Sequence, residues 1–301
     1  MTESQRKTYA TIALIIAGIF GGLVPIAVKI VLKEVPPLTY LFLRLTIMIC
    51  ILLPLSLKVI KSLHQYWKYI CLLGIFWIAN FMLFIFGVRF TTALMSQLLT
   101  SGVPIFVLIE NSFVNKEKLS PWQYLGIFLG LTGAIFLILR NTSLSSGYGL
   151  ISGNLLVFLS AISSSLYLIG TRKFIRNQSP LALTSATVFI GWIITGISML
   201  LLEGISGFSV LPHITTNAWT ALLFMGLICG VLMWFLINWG LKYASAIVAS
   251  GMTYINILTA GIFGVIILGE SVNQNTIFGG IFIIIGIFLS SITPLLLKGQ
   301  K

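Results

Sequence analysis

Long apolar stretches separated by short polar segments fill almost the whole chain. A helix that crosses a bilayer needs about 20 mostly apolar residues, and ten stretches meet that length. The pattern predicts spans at Tyr9–Val31, Leu38–Leu57, Tyr69–Phe90, Thr92–Ser112, Pro121–Leu139, Tyr148–Thr171, Pro180–Leu202, Ala218–Lys242, Ala246–Leu268 and Gln274–Leu297. The expected fold class is an all-α integral membrane protein with ten transmembrane helices.

Composition excludes several classes of protein. The 301 residues are 58% hydrophobic and 8% charged, whereas a soluble domain carries about 25% charged residues. A soluble enzyme, a disordered chain and a nucleic-acid-binding domain are therefore excluded, although the formal net charge is +12. The first apolar stretch is too long for the core of a signal peptide, so we expect a retained first helix.

The distribution of basic residues predicts the orientation. If the N-terminus is cytoplasmic, 13 of the 18 Lys and Arg residues fall on the cytoplasmic side and four fall outside, with Arg44 inside the second span. Cytoplasmic loops of membrane proteins are enriched in Lys and Arg. The sequence therefore predicts that both termini are cytoplasmic, in what we expect to be a bacterial cytoplasmic (inner) membrane.

The chain contains an internal repeat. A shift of 153 residues aligns the segment 87–93 with 240–246 and places Glu117 on Glu270, and earlier in the repeats a shift of 143 places Pro37 on Pro180. These matches predict two five-helix repeats, 9–139 and 148–297. Because five is odd, the second repeat enters the bilayer in the opposite direction. Inverted repeats are common in secondary transporters, with the substrate site between the halves near the midplane.

Several local patterns resemble those of the drug/metabolite transporter (DMT) superfamily, specifically a pair of EamA domains. They are Ala17–Gly18–Ile19–Phe20–Gly21, Pro36–Pro37 followed by Arg44, Lys116–Glu117–Lys118–Leu119, and Gly269–Glu270–Ser271–Val272. Phe20 stands where the family often has Trp, and Lys116 stands where it often has Gly. The resemblance implies transport, with export from the cytoplasm as the expected direction and Phe20 in the substrate site.

Arg44 and Glu110 are charged residues within predicted spans, where charge is costly and often functional. Arg44 has two interpretations: a contact with an anionic substrate group, or a structural cation that binds helix-end carbonyls, Glu34 or Glu270. Glu110 is a candidate for proton coupling, because burial raises the pKa of a carboxyl group. The alternative is an interfacial ion pair with Lys116 or Lys118.

Larger polar and aromatic side chains at membrane depth are the remaining candidates for substrate binding. They are Asn80, Gln97, Ser101, Trp234, Asn238, Ser250 and Tyr254. Under the 153-residue shift Gln97 falls on Ser250 and Ser101 on Tyr254, so we expect the fourth and ninth spans to present polar faces at matching depth. The alternative is that these residues form hydrogen bonds between helices.

Motifs for other chemistry are missing from the sequence. No metal-ligand cluster, Ser-His-Asp set or ATP-binding GxxxxGK[ST] segment can be assembled, so we expect no metal, no cofactor and no ATP hydrolysis. The expected function is a secondary transporter that moves an amino acid or another small organic solute across the bilayer by alternating access. The alternative is a membrane-embedded enzyme or a sensor without transport activity.

Overall fold

Ten apolar helices of the computed structural model are long enough to cross a membrane. The structure describes residues 3–60, 65–116, 119–140, 151–175, 180–244 and 246–292. Seven spans are single helices: the first (Glu3–Leu32), second (Pro37–Ile60), third (Trp67–Val88), fifth (Pro121–Arg140), sixth (Ile151–Ile175), seventh (Pro180–Leu202) and ninth (Ala246–Leu268). The predicted fold class is confirmed. The predicted ends at 148–150 and 293–297 lie outside the described residues.

The other three spans are composite helices. The fourth consists of Ala93–Ser101 and Val103–Asn115, which meet at Gly102. Pro104 lies in the first turn of the second piece, where it has no N–H to continue the hydrogen-bond ladder. The eighth contains the π-helical segment Phe224–Leu232 between the α-helices Thr216–Leu223 and Met233–Tyr243, and the tenth continues Gln274–Ile287 with a π-helical turn, Phe288–Ile292.

Helix pairing repeats between the two halves. The third span packs on the sixth and seventh, and the eighth packs correspondingly on the first and second. The first span packs on the ninth as the sixth packs on the fourth. Three further pairs join equivalent spans: the second with the seventh, the fourth with the ninth, and the fifth with the tenth. Exchanging the halves leaves this set of pairs unchanged, as an inverted repeat requires.

The repeat extends to the backbone conformation of single residues. Lys116 ends the fourth span in the left-handed region, with φ +52°. Gly269, which is 153 residues later, ends the ninth span with φ +66°. Only glycine adopts this region without steric cost. The position of Lys116, where the EamA pattern often has Gly, is therefore a position whose backbone favours glycine.

We call the side on which the first span begins the terminal side, and the other the opposite side. On the opposite side, Glu203 follows the seventh span and binds the beginning of the second. Its carboxylate accepts hydrogen bonds from the N–H groups of Leu38 (2.9 Å) and Thr39 (2.7 Å) and from the Thr39 hydroxyl (2.8 Å). The first N–H groups of a helix have no partner within it and attract negative charge. Glu203 thus satisfies the second span from the other half of the protein.

Glu34 makes the same kind of link from the first half to the second. Its carboxylate accepts from the Thr215 N–H (2.6 Å) and from the Thr215 hydroxyl (2.7 Å), and Thr215 is the N-cap of the eighth span. The Thr215 N–H, followed by its hydroxyl, lowers the pKa of Glu34. The link therefore stabilises the fold above the ordinary pKa of a glutamate and weakens as the pH falls through the lowered pKa.

Glu270 is the third link on this side. One carboxylate oxygen accepts from the Ala93 N–H at the start of the fourth span, at 2.6 Å, and the other pairs with the ammonium group of Lys29 on the first span. The two charged side chains are only 7% and 10% exposed. Glu270 therefore ties the connection between the ninth and tenth spans to two helices of the first half.

The fifth and tenth spans cross with their backbones in contact. A Cβ atom at Gly286 would lie 2.6 Å from the Gly130 nitrogen and 2.7 Å from the Gly126 oxygen. Backbone atoms cannot move aside as a flexible side chain can, so the crossing depends on the missing Cβ. Small residues at such crossings let transmembrane helices approach closely.

We expect Gly286→Ala to lower the free energy of unfolding by about 1–3 kcal/mol, the usual cost of overpacking. Gly251→Ala is the matched control, because a Cβ at Gly251 has no neighbour within 4 Å. The control should be neutral or stabilising by up to about 1 kcal/mol, since Ala is the better helix former. Thermal unfolding of the purified proteins in detergent measures both; equal effects would contradict the described crossing.

The paired left-handed positions give a second prediction. Lys116→Gly should raise the free energy of unfolding by about 0.5–1 kcal/mol, because it relieves left-handed strain but adds freedom to the unfolded chain. Gly269→Ala should lower it by about 1–2 kcal/mol at the equivalent position. Both are measured by thermal unfolding in the same detergent. A destabilised Lys116→Gly variant would contradict the described conformation.

Candidate functional site

The predicted site residues lie at several depths in the membrane. Gln97 lies four residues after the start of the fourth span on the opposite side, and Ser250 four residues after the start of the ninth on the terminal side. At 1.5 Å per residue each is about 6 Å from its own end. The expectation of one shared depth is therefore wrong for this pair, because a twofold axis in the membrane plane places equivalent residues at mirrored depths.

Ser101 and Tyr254 are the equivalent pair closest to the midplane. Each lies eight residues from the start of its span, about 12 Å from opposite surfaces. The buried Ser101 hydroxyl donates to the Leu98 carbonyl of its own helix at 2.6 Å. The Tyr254 ring packs against the apolar cluster that includes Leu98 and Leu99, while its Oη is buried without a hydrogen-bond partner. Tyr254 of the ninth span thus packs against the fourth span, and its hydroxyl group is left without a hydrogen-bond partner.

Phe20 and Asn80 also lie near mid-depth, in the first and third spans, and both are half-buried. The Phe20 ring meets Phe224 of the eighth span edge-on, with centroids 5.8 Å apart. Trp234 is half-buried on the eighth span, further toward the terminal side. Asn238 follows one turn later. The side chains of Asn238 and Ser250 lie outside the described part of the chain.

Arg44 is buried in the second span, 5% exposed and about 10 Å from the opposite surface. Its guanidinium lies 4.6 Å from the centre of the Phe81 ring, a cation–π contact, and its Nε has no hydrogen-bond partner. It interacts electrostatically with Tyr40, one turn earlier, and with Cys229 of the eighth span. The Cys229 thiol in turn lies 3.9 Å from the Phe20 carbonyl.

Two of the partners predicted for Arg44 bind other groups in the structure. Glu34 binds Thr215, and Glu270 binds Lys29 and Ala93. Pairing of Arg44 with either glutamate is therefore wrong, because both carboxylates serve helix N-termini or a different cation. In the described ranges, the two ion pairs are Lys7–Glu3 and Lys29–Glu270, and neither includes Arg44.

We name Phe20, Arg44, Phe81, Phe224 and Cys229 the Arg44 cluster.

A groove of about 790 Å³ opens on the opposite side, between the first, eighth and ninth spans. At the opposite surface its rim consists of Lys33, Glu34 and Thr215, and its walls are apolar side chains such as Leu23. Phe224 lines the groove and also contacts Phe20. The groove therefore reaches from the polar rim to the edge of the Arg44 cluster.

Glu110 lies in the second piece of the fourth span and faces the sixth span. The Ser165 hydroxyl and one Glu110 oxygen, Oε1, are 2.7 Å apart, and the other oxygen, Oε2, is buried without a hydrogen-bond partner. Lys116 is exposed, and among the residues that the structure describes no cation forms an ion pair with Glu110. The proposed pair with Lys116 is therefore wrong, and Lys118 lies outside the described residues.

Three polar residues within the spans, Lys29, Ser165 and Asn256, were not among the predicted site residues. Lys29 was counted among the external cations but is buried against Glu270. Asn256 contacts Gly18, Gly21 and Gly22 of the first span, and its amide nitrogen, turned toward that span, donates to the Gly18 carbonyl at 2.6 Å. The four-residue spacing of Gly18 and Gly22 is a signal for such a close crossing.

No set of three His, Cys, Asp or Glu residues suited to a metal ion occurs in the described ranges. The chemistry that the site offers is recognition: a buried guanidinium, aromatic faces, the Tyr254 hydroxyl and a carboxyl group.

Comparison with known proteins identifies relatives over the full length of the fold. Uncharacterized transporter YcxC of Bacillus subtilis (strain 168) is 26% identical over 297 residues, which is 96% of this chain and 94% of the relative. An uncharacterized transporter of Clostridium kluyveri is 27% identical over 245 residues, 78% of this chain and 77% of the relative. A solved crystal structure with 17% identity and a TM-score of 0.63 covers 95% of this chain and 98% of its own, which shows the fold alone.

The EamA-like transporter family matches residues 8–139 and again residues 151–292. Each match covers one five-helix half, so the family pattern repeats in register with the structural repeat. The chain belongs to the EamA-like transporter family.

Proposed function

We propose that this protein is a secondary transporter that exports a small organic solute bearing a carboxylate, such as an amino acid, by alternating access. The observation that carries the proposal is the pairing of two inverted halves around Arg44, a buried cation without an ion-pair partner among the described residues. Secondary transporters with inverted repeats bind substrate near the midplane, between the halves. The transporter names of the relatives support the same class.

The helix pairs support alternating access in physical terms. Two halves of similar structure and opposite orientation can exchange conformations, and the exchange opens the molecule to the other side. The second–seventh, fourth–ninth and fifth–tenth pairs are the contacts at which the halves meet in equivalent positions. On the opposite side, Glu34, Glu203 and Glu270 each join the two halves, so movement of one half must act through these links.

Arg44 supports the choice of substrate class. A buried cation in a membrane protein is costly unless it is paired or meets an anionic ligand. A guanidinium offers planar donors that match a carboxylate, and Phe81 holds it by stacking. Phe20 and Phe224 add an apolar surface beside it, so the cluster suits a small solute with one carboxylate and an apolar or amphipathic remainder.

The alternative of a membrane-embedded enzyme has less support. General acid–base or nucleophilic catalysis needs an ionisable pair within hydrogen-bond reach of a reacting atom. Around Arg44 the described titratable neighbours are Tyr40 and Cys229, both buried, and neither forms a hydrogen bond with a base among the described residues. A sensor would use the same cluster for binding but would not move the solute.

Arg44 provides the test of the substrate site. In proteoliposomes loaded with labelled amino acids or monocarboxylates, Arg44→Gln should lower the apparent affinity about 10- to 150-fold, the effect of losing one charge-assisted hydrogen bond. Arg89→Gln is the matched control, because Arg89 is exposed at the opposite surface. The wild-type protein should also accept a free carboxylate and reject its amide. Unchanged flux in Arg44→Gln, or equal transport of carboxylate and amide, would contradict the proposal.

We further propose that both termini lie in the cytoplasm of a bacterial cell. A cysteine at the exposed position Asn217, on the opposite side, should react with an impermeant thiol reagent in intact cells. A cysteine at the exposed position Lys116, on the terminal side, should react only after permeabilisation. Both variants require removal of Cys50 and Cys71, which are not buried, while the buried Cys229 can remain. Labelling in the reverse order would overturn the assigned orientation.

A further inference from the structure

Glu110 and Ser165 form a part-buried polar contact between the two halves. Glu110 lies on the fourth span, about 8 Å before the terminal-side end of the helix Val103–Asn115. Ser165 lies on the sixth span and is 0% exposed. The contact is 2.7 Å long, so the two oxygen atoms share a hydrogen bond.

The Ser165 hydroxyl has two close oxygen neighbours but only one hydrogen. Its Oγ lies 2.7 Å from the Ile162 carbonyl and 2.7 Å from Glu110 Oε1. That hydrogen can be donated to the Ile162 carbonyl or to Glu110 Oε1, but not to both at once. With an ionised Glu110, only one of the two contacts is a hydrogen bond. If Glu110 carries a proton, it donates that proton to Ser165 while the Ser165 hydrogen is donated to Ile162. Both short contacts are thus satisfied together by a neutral carboxyl group.

The second oxygen of Glu110 leads to the same conclusion. Oε2 is buried and has no hydrogen-bond partner. In an ionised carboxylate this atom would carry about half of the negative charge without a donor, which is the costly case in a medium of low polarity. In a neutral group it is a carbonyl oxygen, whose burial costs much less.

The other described glutamates each have a cation or backbone N–H groups as partners, and Glu110 has neither. Glu3 pairs with Lys7, Glu270 pairs with Lys29, and Glu34 and Glu203 accept backbone N–H groups. These donors favour the charged form of a carboxyl group. Among the glutamates in the described ranges, Glu110 alone has neither a cation nor a backbone N–H as partner, and one of its oxygens is buried without a hydrogen-bond partner.

Ionisable groups on the neighbouring elements do not pair with Glu110 in the described ranges. The fifth, sixth and tenth spans pack against this part of the fourth. The fifth carries Tyr124, which is 60% exposed, and Arg140 at its far end, and the described part of the tenth carries none. The sixth carries Tyr167, and Arg172 and Lys173 follow about 10 Å beyond Ser165, with side chains outside the described residues. On its own span Lys116 is exposed.

We infer that Glu110 is the proton-binding site of this transporter and that its partner Ser165 stabilises the neutral form. In the described conformation the buried oxygen of Glu110 lies between the fourth and sixth spans, and the group is protonated. When these spans separate at the terminal side, the proton on Oε1 passes to water and leaves a hydrated carboxylate. Because covering Oε2 again is costly while the group is charged, Glu110 takes up a proton from the water of the same side before the spans close. Opening at the terminal side is therefore linked to the pH on that side. This inference rests on the proposed transport function.

The first test needs no substrate. The full-length protein in lipid nanodiscs is titrated with pH, and infrared difference spectra follow the C=O stretch of protonated carboxyl groups. We expect a band that titrates in the wild type and is missing in Glu110→Gln. An identical titration in the two proteins would overturn the inference.

Ser165→Ala tests the direction of the hydrogen bond. If Ser165 accepts from neutral Glu110, its loss lowers the titration midpoint by about half to one pH unit, as expected for one hydrogen bond. If Ser165 instead donated to an ionised Glu110, its loss would raise the midpoint and contradict the assignment. Ser163→Ala is the matched control, because Ser163 is on the same helix but donates to the Phe76 carbonyl; its midpoint should stay unchanged.

Flux measurements connect the site with transport. In proteoliposomes with a labelled amino-acid mixture, the exchange rate of the wild type should change with the pH on the terminal side, and Glu110→Gln should lose that dependence. An exchange rate that depends on pH equally in Glu110→Gln and in the wild type would overturn the role of Glu110 and leave the transport function standing. Failure of the wild type to exchange any amino acid or monocarboxylate would instead overturn the proposed function, while the infrared titration would still report on the proton site.

Discussion

The fold depends on how the N-termini of transmembrane helices are satisfied at the membrane surface. A helix end exposes N–H groups that lack partners within the helix and that attract negative charge. On the opposite side, Glu34, Glu203 and Glu270 supply carboxylates to the eighth, second and fourth spans. Each carboxylate comes from the other half of the chain. The same bonds that complete single helices therefore hold the two halves together.

The twofold axis in the membrane plane explains why equivalent residues of the two repeats do not share one depth in the candidate site. Residues that are equivalent in sequence lie at mirrored depths, so Gln97 and Ser250 lie near opposite surfaces. Near the midplane the mirrored positions converge, as Ser101 and Tyr254 do. The backbone obeys the symmetry even where the residues differ, since Lys116 and Gly269 share a left-handed conformation.

Charge within the spans separates into two kinds. Lys29 and Glu270 neutralise each other at the boundary between the halves, which makes them part of the framework. Arg44 and Glu110 have no ion-pair partner among the described residues, although both lie at depths where charge is costly. An unpaired charge at such a depth is costly, and binding an anionic ligand or a proton removes that cost. We therefore interpret Arg44 as the position for ligand binding and Glu110 as the position for protonation. They lie on different spans, so substrate and proton need not compete for one group.

The sequence by itself determined the ten spans, the family and the inverted repeat, because the lengths of apolar stretches and the repeated residues can be read directly along the chain. It also marked Arg44 and Glu110, since charge stands out against an apolar background. It did not determine their partners: Glu34 and Glu270 were expected near Arg44, and Lys116 near Glu110. Partners 55 to 241 residues apart, such as Glu110 with Ser165 or Lys29 with Glu270, are brought together only by helix packing. Tertiary structure decided them because many polar atoms lie at similar depth, and only the crossing geometry selects which two atoms meet.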